Sequence, residues 1–518
     1  MDRGVSPVIS IHRSKVTRID SDVQVGFARL PQPGSDASFE IIRQWLQSCD
    51  NHHGGICPPA TRQDSVMPTR VIDVGTERDH SVRLIETRGA QGKWIALSHQ
   101  WGTSDNFCTT PENKVKHMNG IEDEILPATF RDAVKITRAL GRRHLWIDSV
   151  CIIQGRKGDF ASEAKRMEQV YSGAYCVLAT SRSPGHDAGI LQDREERDVM
   201  ALQAQGQSGP FYLSQNIDDF DVHVLKGALN QRGWVLQEHA LARRTVYFTD
   251  HQMYFECGQG GLINSETASF LGDPDFPQII MSADKGERIL LYQDLYTKYS
   301  RLGLSRPTDR AVAIGGLEER ILAKLNVSGG WGILDDSLNT EGQNGLLRRS
   351  LLWRRGEEVE ELSSIPFAKK AGYPGVPTWS WMAYEGGINY IEPDFGATHW
   401  EELLSPWSSE GPAPSRQGHG AHPPALVAKV WDYTAEHIAD SQGHFIVLDS
   451  PKKSKHLATK CVILGQPRSR RVKQKRYVLI VTATTEKDGN GKAVYHRAGA
   501  GVIPAECITG GEDNVTIW

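Results

Sequence analysis

Residues 93–102 read Lys93-Trp94-Ile95-Ala96-Leu97-Ser98-His99-Gln100-Trp101-Gly102. The first six form a short apolar run fit for a central strand. The rest opens a polar loop that continues through Thr103-Ser104-Asp105-Asn106. In an open α/β sheet, ligands bind where strands end in loops of this kind.

Downstream, strands and helices alternate. Thr129 is placed to cap a helix, with Asp132 three residues on. Phe130, Ala133, Val134, Thr137 and Leu140 give that helix its apolar stripe, and Gly141 stops it. His144-Leu145-Trp146-Ile147-Asp148-Ser149-Val150-Cys151-Ile152 reads as a second buried strand. Asp148 is an acid within it; burial alone would be costly, so it lies at the strand end or is paired. Ala161, Ala164, Met167, Val170, Tyr171 and Ala174 mark a second amphipathic helix. Tyr175-Cys176-Val177-Leu178-Ala179-Thr180 is a third strand, followed by the loop Ser183-Pro184-Gly185-His186. Two more strands are expected at 245–248 and 253–257. This alternation over 93–257 predicts an α/β fold, a largely parallel sheet with flanking helices. It gathers Ser98, Trp101, Asp148 and Glu238 near one edge.

Between the third and fourth strands lies Arg232-Gly233-Trp234-Val235-Leu236-Gln237-Glu238. Trp234 and Glu238 are four apart, so on a helix they share a face. A carboxylate beside an indole and an aliphatic side chain is open to desolvation and useful for chemistry. The plainer reading is a surface Glu238 on an amphipathic helix whose Trp234 is core.

Outward from this region the chain changes character. Residues 1–37 read as a polar N-terminal arm. Residues 38–90 form a lead-in, with a helix carrying Ile41, Ile42, Trp45 and Leu46 and short strands at 68–74 and 82–86. Between them, Cys49 and Cys57 bracket His52 and His53. Their spacing fits no standard zinc finger, and a Gly-rich loop with buried thiols is the plainer reading. Residues 91–260 hold the α/β domain and 261–390 a mostly helical region. Residues 391–518 are β-rich and include a Pro/Gly-rich linker at 405–425. Six basic residues between Arg468 and Arg476 either meet an anionic partner or form a solvated hairpin loop.

The 518 residues are 39% hydrophobic and 24% charged, with a net charge of −4, an ordinary globular profile. That balance advertises neither a nucleic-acid nor a membrane surface, and no stretch is apolar enough to span a bilayer. The eight cysteines read as reduced thiols of an intracellular, cytoplasmic protein. There is no G-x-G-x-x-G, no G-x-x-x-x-G-K-[ST] and no G-x-S-x-G, so neither the usual phosphate loops nor a serine-hydrolase elbow is expected. No metal and no resident cofactor are expected.

Taken together, the blocks Trp94–Gly102, Leu126–Ala133, Leu145–Gln154 and Arg232–Glu238, in this order, resemble the fungal heterokaryon-incompatibility (HET) domain proteins. His99, Gln100 and Ile153 stand where that family usually has Tyr, Cys and Asn. HET domains are in turn remotely similar to Toll/interleukin-receptor (TIR) domains, and Trp234-x-x-x-Glu238 looks like the W-x-x-x-E helix of the latter. The resemblance implies a TIR-like (flavodoxin-like) sheet, a role in non-self recognition and programmed cell death, and assembly into a homo-oligomer on activation. It also implies a protein partner as trigger. Catalytic TIR domains cleave NAD at the nicotinamide–ribose bond, so the likeness makes NAD or a related nucleotide the expected substrate and Glu238 the expected catalytic residue. Ser98, Trp101, Gly102, Asp148 and Trp234 are then the expected substrate-binding residues, with Trp101 stacking on a flat ring. Two alternatives stand beside this: a signalling domain that only self-associates, and a different nucleotide-processing enzyme at the same edge.

Overall fold

The structure, a computed structural model, describes residues 9–13, 24–25, 29–52, 65–76, 81–102, 107–194, 198–203, 211–215, 217–258, 261–264, 285–336, 345–367, 375–408, 425–434, 438, 443–454, 457–468, 475–489 and 491–518. The chain divides into two compact units, Met1–Ile279 and Ile280–Trp518. Cys57 and His53, the loop 103–106, most of the Pro/Gly-rich linker and residues 469–474 of the basic stretch lie outside the described residues.

The first unit is built on an eight-stranded sheet. Its elements in chain order are α1 (Asp36–His52), β1 (Arg70–Asp73), β2 (Arg83–Glu86), β3 (Ile95–Ser98), α2 (Ala128–Ala139), β4 (His144–Trp146), α3 (Asp148–Cys151), α4 (Phe160–Glu163), α5 (Met167–Gly173), β5 (Cys176–Ala179), α6 (Gly233–Leu241), β6 (Arg244–Phe248), β7 (Met253–Cys257) and β8 (Gly261–Asn264). Across the sheet the strands run β8-β7-β6-β5-β3-β4-β1-β2. The pairs β4–β3, β3–β5 and β5–β6 are parallel. The four outer pairs are antiparallel. The sheet is therefore mixed rather than largely parallel. The reason is loop length: only residues 249–252 join β6 to β7, and Thr249 N–H closes that turn on Gln252 O. Parallel neighbours need a crossover of a dozen residues or more.

Within the parallel core, strands numbered along the chain lie in the order second, first, third, fourth. β3 is the central strand anticipated from its apolar run, and Trp94 through Leu97 are fully buried. α1 covers the antiparallel flank, where Trp45 stacks on Phe255 with centroids 5.8 Å apart.

Three local expectations change. The strand read from His144 to Ile152 ends at Trp146, and Asp148 opens the short helix α3. Thr129 and Asp132 do not cap α2; Pro127 holds the cap position. Instead, Thr129 Oγ1 accepts from Gly189 N–H, and Asp132 Oδ2 accepts from Ile190 and Leu191 N–H at 2.7 and 2.9 Å. The pair thus ties down the loop 183–191. Finally, Ile9–Arg13, read within a polar arm, pairs antiparallel with Phe211–Gln215 in a separate four-stranded sheet.

The second unit opens with the helices Lys285–Ser300 and Gly315–Leu325. Its β-rich part holds a seven-stranded sheet. Five of those strands, Leu426–Tyr433, Thr459–Pro467, Lys475–Lys487, Ala493–Pro504 and Ile508–Ile517, pair successively until the last meets the first, closing a ring. Thr398–Trp400 and Phe445–Leu448 are attached outside it. Cys461, Val478, Ile480 and Ile503 are fully buried in its core. Asp449 and Arg497 form a buried ion pair at 2.9 Å. No disulfide joins the described cysteines. No helix among the described residues is long and apolar enough to cross a membrane.

Candidate functional site

The carboxyl ends of the parallel strands converge beside α6. β3 ends at Ser98, which pairs with Ala179 of β5. One residue further, Thr180 N–H donates to Ser98 O at 3.0 Å. The winding of the sheet reverses between β3 and β5, the place where open α/β sheets bind ligands.

Glu238 sits on α6 and is only 5% exposed. Burial pushes its pKa up to about 7, and the charge of Asp148 adds to the rise. The Ser98 hydroxyl, the Arg232 guanidinium and the Tyr171 hydroxyl pull the other way. Ser98 lies close enough to stabilise the charge but not in the geometry of a formed hydrogen bond. Ser98 Oγ and Glu238 Oε2 are both buried without a partner among the described residues.

Asp148, at the start of α3, is held twice. Its Oδ1 accepts Ser149 N–H at 2.7 Å, and its Oδ2 accepts the Trp101 indole N–H at 2.7 Å. Trp101 is half-buried, with its indole orientation set by that bond. His99 is buried, with Nδ1 3.8 Å from Asp148 Oδ1. Burial lowers its pKa to about 4, against the pull of Asp148. Its carbonyl accepts from Arg232 at 2.6 Å.

Buried polar atoms without partners normally signal something missing, since such atoms cost about 1–3 kcal/mol each. Six of the eighteen such atoms among the described residues lie here: Ser98 Oγ, His99 Nε2, Gln100 Nε2, Ser149 Oγ, Thr180 Oγ1 and Glu238 Oε2. A set of hydroxyls beside two carboxylates and one guanidinium suits a polyol or a cationic centre. It suits a bare phosphate less, because carboxylates repel it.

The structure brings Ser98, Asp148, Trp101 and Glu238 to this edge, and places the other two residues differently. Gly102 is exposed and has φ +78°; an added Cβ would stand 3.3 Å from Gly185 Cα. It lets two loops touch, helped by a bond between His186 Nδ1 and Trp101 O. Trp234 is not core. It is half-buried and meets Phe160 edge-on at 6.0 Å. The buried side chains beside it on α6 are Val235 and Gln237. Trp146 and Leu97, in contrast, are buried in the core.

Sequence reasoning passed over Tyr171, His99, Arg232 and Thr180 as site members. Tyr171 belongs to the apolar stripe of its helix, yet its hydroxyl donates to Leu97 O at 3.3 Å and approaches Glu238. A phenol at a buried helix position is a signal, because its hydroxyl requires a partner. Near the site an open cleft of about 550 Å³ is lined by Phe107, Leu126, Pro127, Arg131, His186 and Asp187. It reaches the site at His186, and Glu238 is not among its walls.

Among known proteins, the family model described as heterokaryon incompatibility protein (HET) matches residues 94–238. The match opens at the residue before β3 and closes on Glu238. No curated protein and no solved structure matches the chain. The HET match points to a role in heterokaryon incompatibility.

Proposed function

We propose that the chain hydrolyses NAD at the nicotinamide–ribose bond, and that this activity serves cell death in heterokaryon incompatibility. The observation that carries the reading is Glu238: a buried carboxylate with a free oxygen, at a parallel-strand edge lined by unpartnered hydroxyls. The parallel order second, first, third, fourth agrees with a flavodoxin-like, TIR-like sheet.

Cleavage leaves positive charge on the ribose, as in glycoside hydrolysis. A fixed, dehydrated carboxylate stabilises such a centre more strongly than water does. Glu238 supplies that charge. Ser98 and Asp148 meet ribose hydroxyls, while the fixed Trp101 indole offers a face for a flat ring. Activation involves assembly of copies and a protein trigger in the cytoplasm.

The test incubates the full chain with NAD and quantifies nicotinamide and ADP-ribose, beside Glu238→Gln. Wild type should release both products, and the variant should be slower by about a hundredfold or more. No release by wild type, or undiminished release by the variant, overturns the proposal.

A further inference from the structure

We infer that His99 is the base that takes the proton of the attacking water, working opposite Glu238. This rests on the reading that NAD is cleaved at this site.

The His99 ring is held on several sides. Phe130 meets it edge-on with centroids 5.0 Å apart, Asp148 Oδ1 stands 3.8 Å from Nδ1, and Arg232 fixes its backbone carbonyl. A carboxylate at Nδ1 favours the proton there and leaves the lone pair on Nε2. That nitrogen is buried and has no partner among the described residues. Burial keeps the ring neutral against the pull of Asp148, and its contacts leave it oriented with Nε2 unsatisfied, which is the condition of a base awaiting a proton donor.

Ser98 is the last residue of β3, and His99 is the first residue beyond it. Glu238 and His99 both have Asp148 and Arg232 as charged neighbours, so the two groups meet at the same strand end. Two groups flanking a sugar divide the work: one stabilises the cation and the other activates water.

The step balances. The C–N bond breaks with its electron pair going to the nicotinamide nitrogen, which leaves neutral. Water oxygen bonds to the ribose carbon and loses one proton to His99 Nε2. His99 returns that proton to solvent, so NAD and water give ADP-ribose, nicotinamide and one proton.

Capture by a neutral pyridine base needs no proton removed, whereas capture by water does. The test supplies NAD with 3-acetylpyridine and measures the ratio of exchanged dinucleotide to ADP-ribose. For His99→Gln that ratio should rise about tenfold or more, because general-base assistance is lost only from hydrolysis. Asp148→Asn should raise it in the same direction. For wild type the ratio should rise in D2O, a readout that needs no folded variant. An unchanged ratio in D2O, an unchanged ratio in folded His99→Gln, or a rise in Asp148→Asn alone each overturns the role of His99 while NAD cleavage stands. Neither product from wild type overturns the cleavage reading, and this inference with it.

Discussion

The indole N–H of Trp101 donates to Asp148 Oδ2 at 2.7 Å. That bond joins the loop after β3 to the start of α3, two segments 47 residues apart in the chain. It holds in place the carboxylate that also faces His99. Trp101→Phe keeps the ring and deletes the donor. A hydrogen bond to a charged group is worth about 1.5–3 kcal/mol. The expected outcome is a fall of about tenfold in kcat/KM for nicotinamide release, with the melting temperature lowered by only a few degrees. An unaltered kcat/KM would show that fixing Asp148 does not matter to turnover.

Glu238 should make the protein less stable as pH rises. Its pKa stands near 7 in the folded chain, above the carboxylate's ordinary 4.5. The folded state therefore holds a proton that the unfolded state has lost between those values. Stability declines across that window and levels off above it, by roughly 3 kcal/mol in all. Glu238→Gln should unfold at higher denaturant than wild type at pH 8, and the two should converge below pH ~4.5. Activity runs the other way in wild type, rising through pH ~7 as the carboxylate ionises. Denaturation midpoints of the pair at both pH values check the first statement, and a pH–rate profile the second.

Gly102 and Gly185 should both resist replacement. Gly102 has φ +78°, where a side chain costs about 1–2 kcal/mol. A Cβ at Gly185 would lie 3.1 Å from Gly102 Cα. Each alanine variant should lower the urea midpoint. Because the two share one contact, the double variant should lose less than the sum of the singles. Full additivity would show that the backbones do not meet.

Trp146 and Trp234 should differ sharply. Trp146 is 2% exposed and packs edge-on against Tyr171 at 5.6 Å, so its truncation to alanine should cost about 3–5 kcal/mol. Half-buried Trp234 loses mainly its edge contact with Phe160, and Trp234→Ala should cost about 1–2 kcal/mol. Equal losses in equilibrium unfolding would restore Trp234 as a core anchor.

Much of this was legible beforehand because β3, β4, β5 and β6 are short apolar runs separated by helical periodicity. Their parallel pairing follows from the length of what joins them. The antiparallel flanks were harder to read. Arg83–Glu86 folds back on its neighbour Arg70–Asp73, but nothing in Arg70–Asp73 declares that it will also pair with His144–Trp146, some seventy residues on. The site divides the same way. Glu238 stood out because a carboxylate amid apolar neighbours is anomalous. Trp234 misled because an indole looks like core, and only packing decides which face of α6 turns inward. Thr129 and Asp132 carried a capping signature, but Pro127 took the cap and their side chains went to a loop some sixty residues on.

The closed ring of the second unit sets where solvent can enter it. Each of the five ring strands is laddered on both sides, so opening any of them breaks two sets of backbone bonds together. Thr398–Trp400 and Phe445–Leu448 hang from the ring by one ladder each. Amide protons bonded to those two strands should therefore trade for deuterium early, and those shared between ring strands late, with the ring releasing its amides as one cooperative unit.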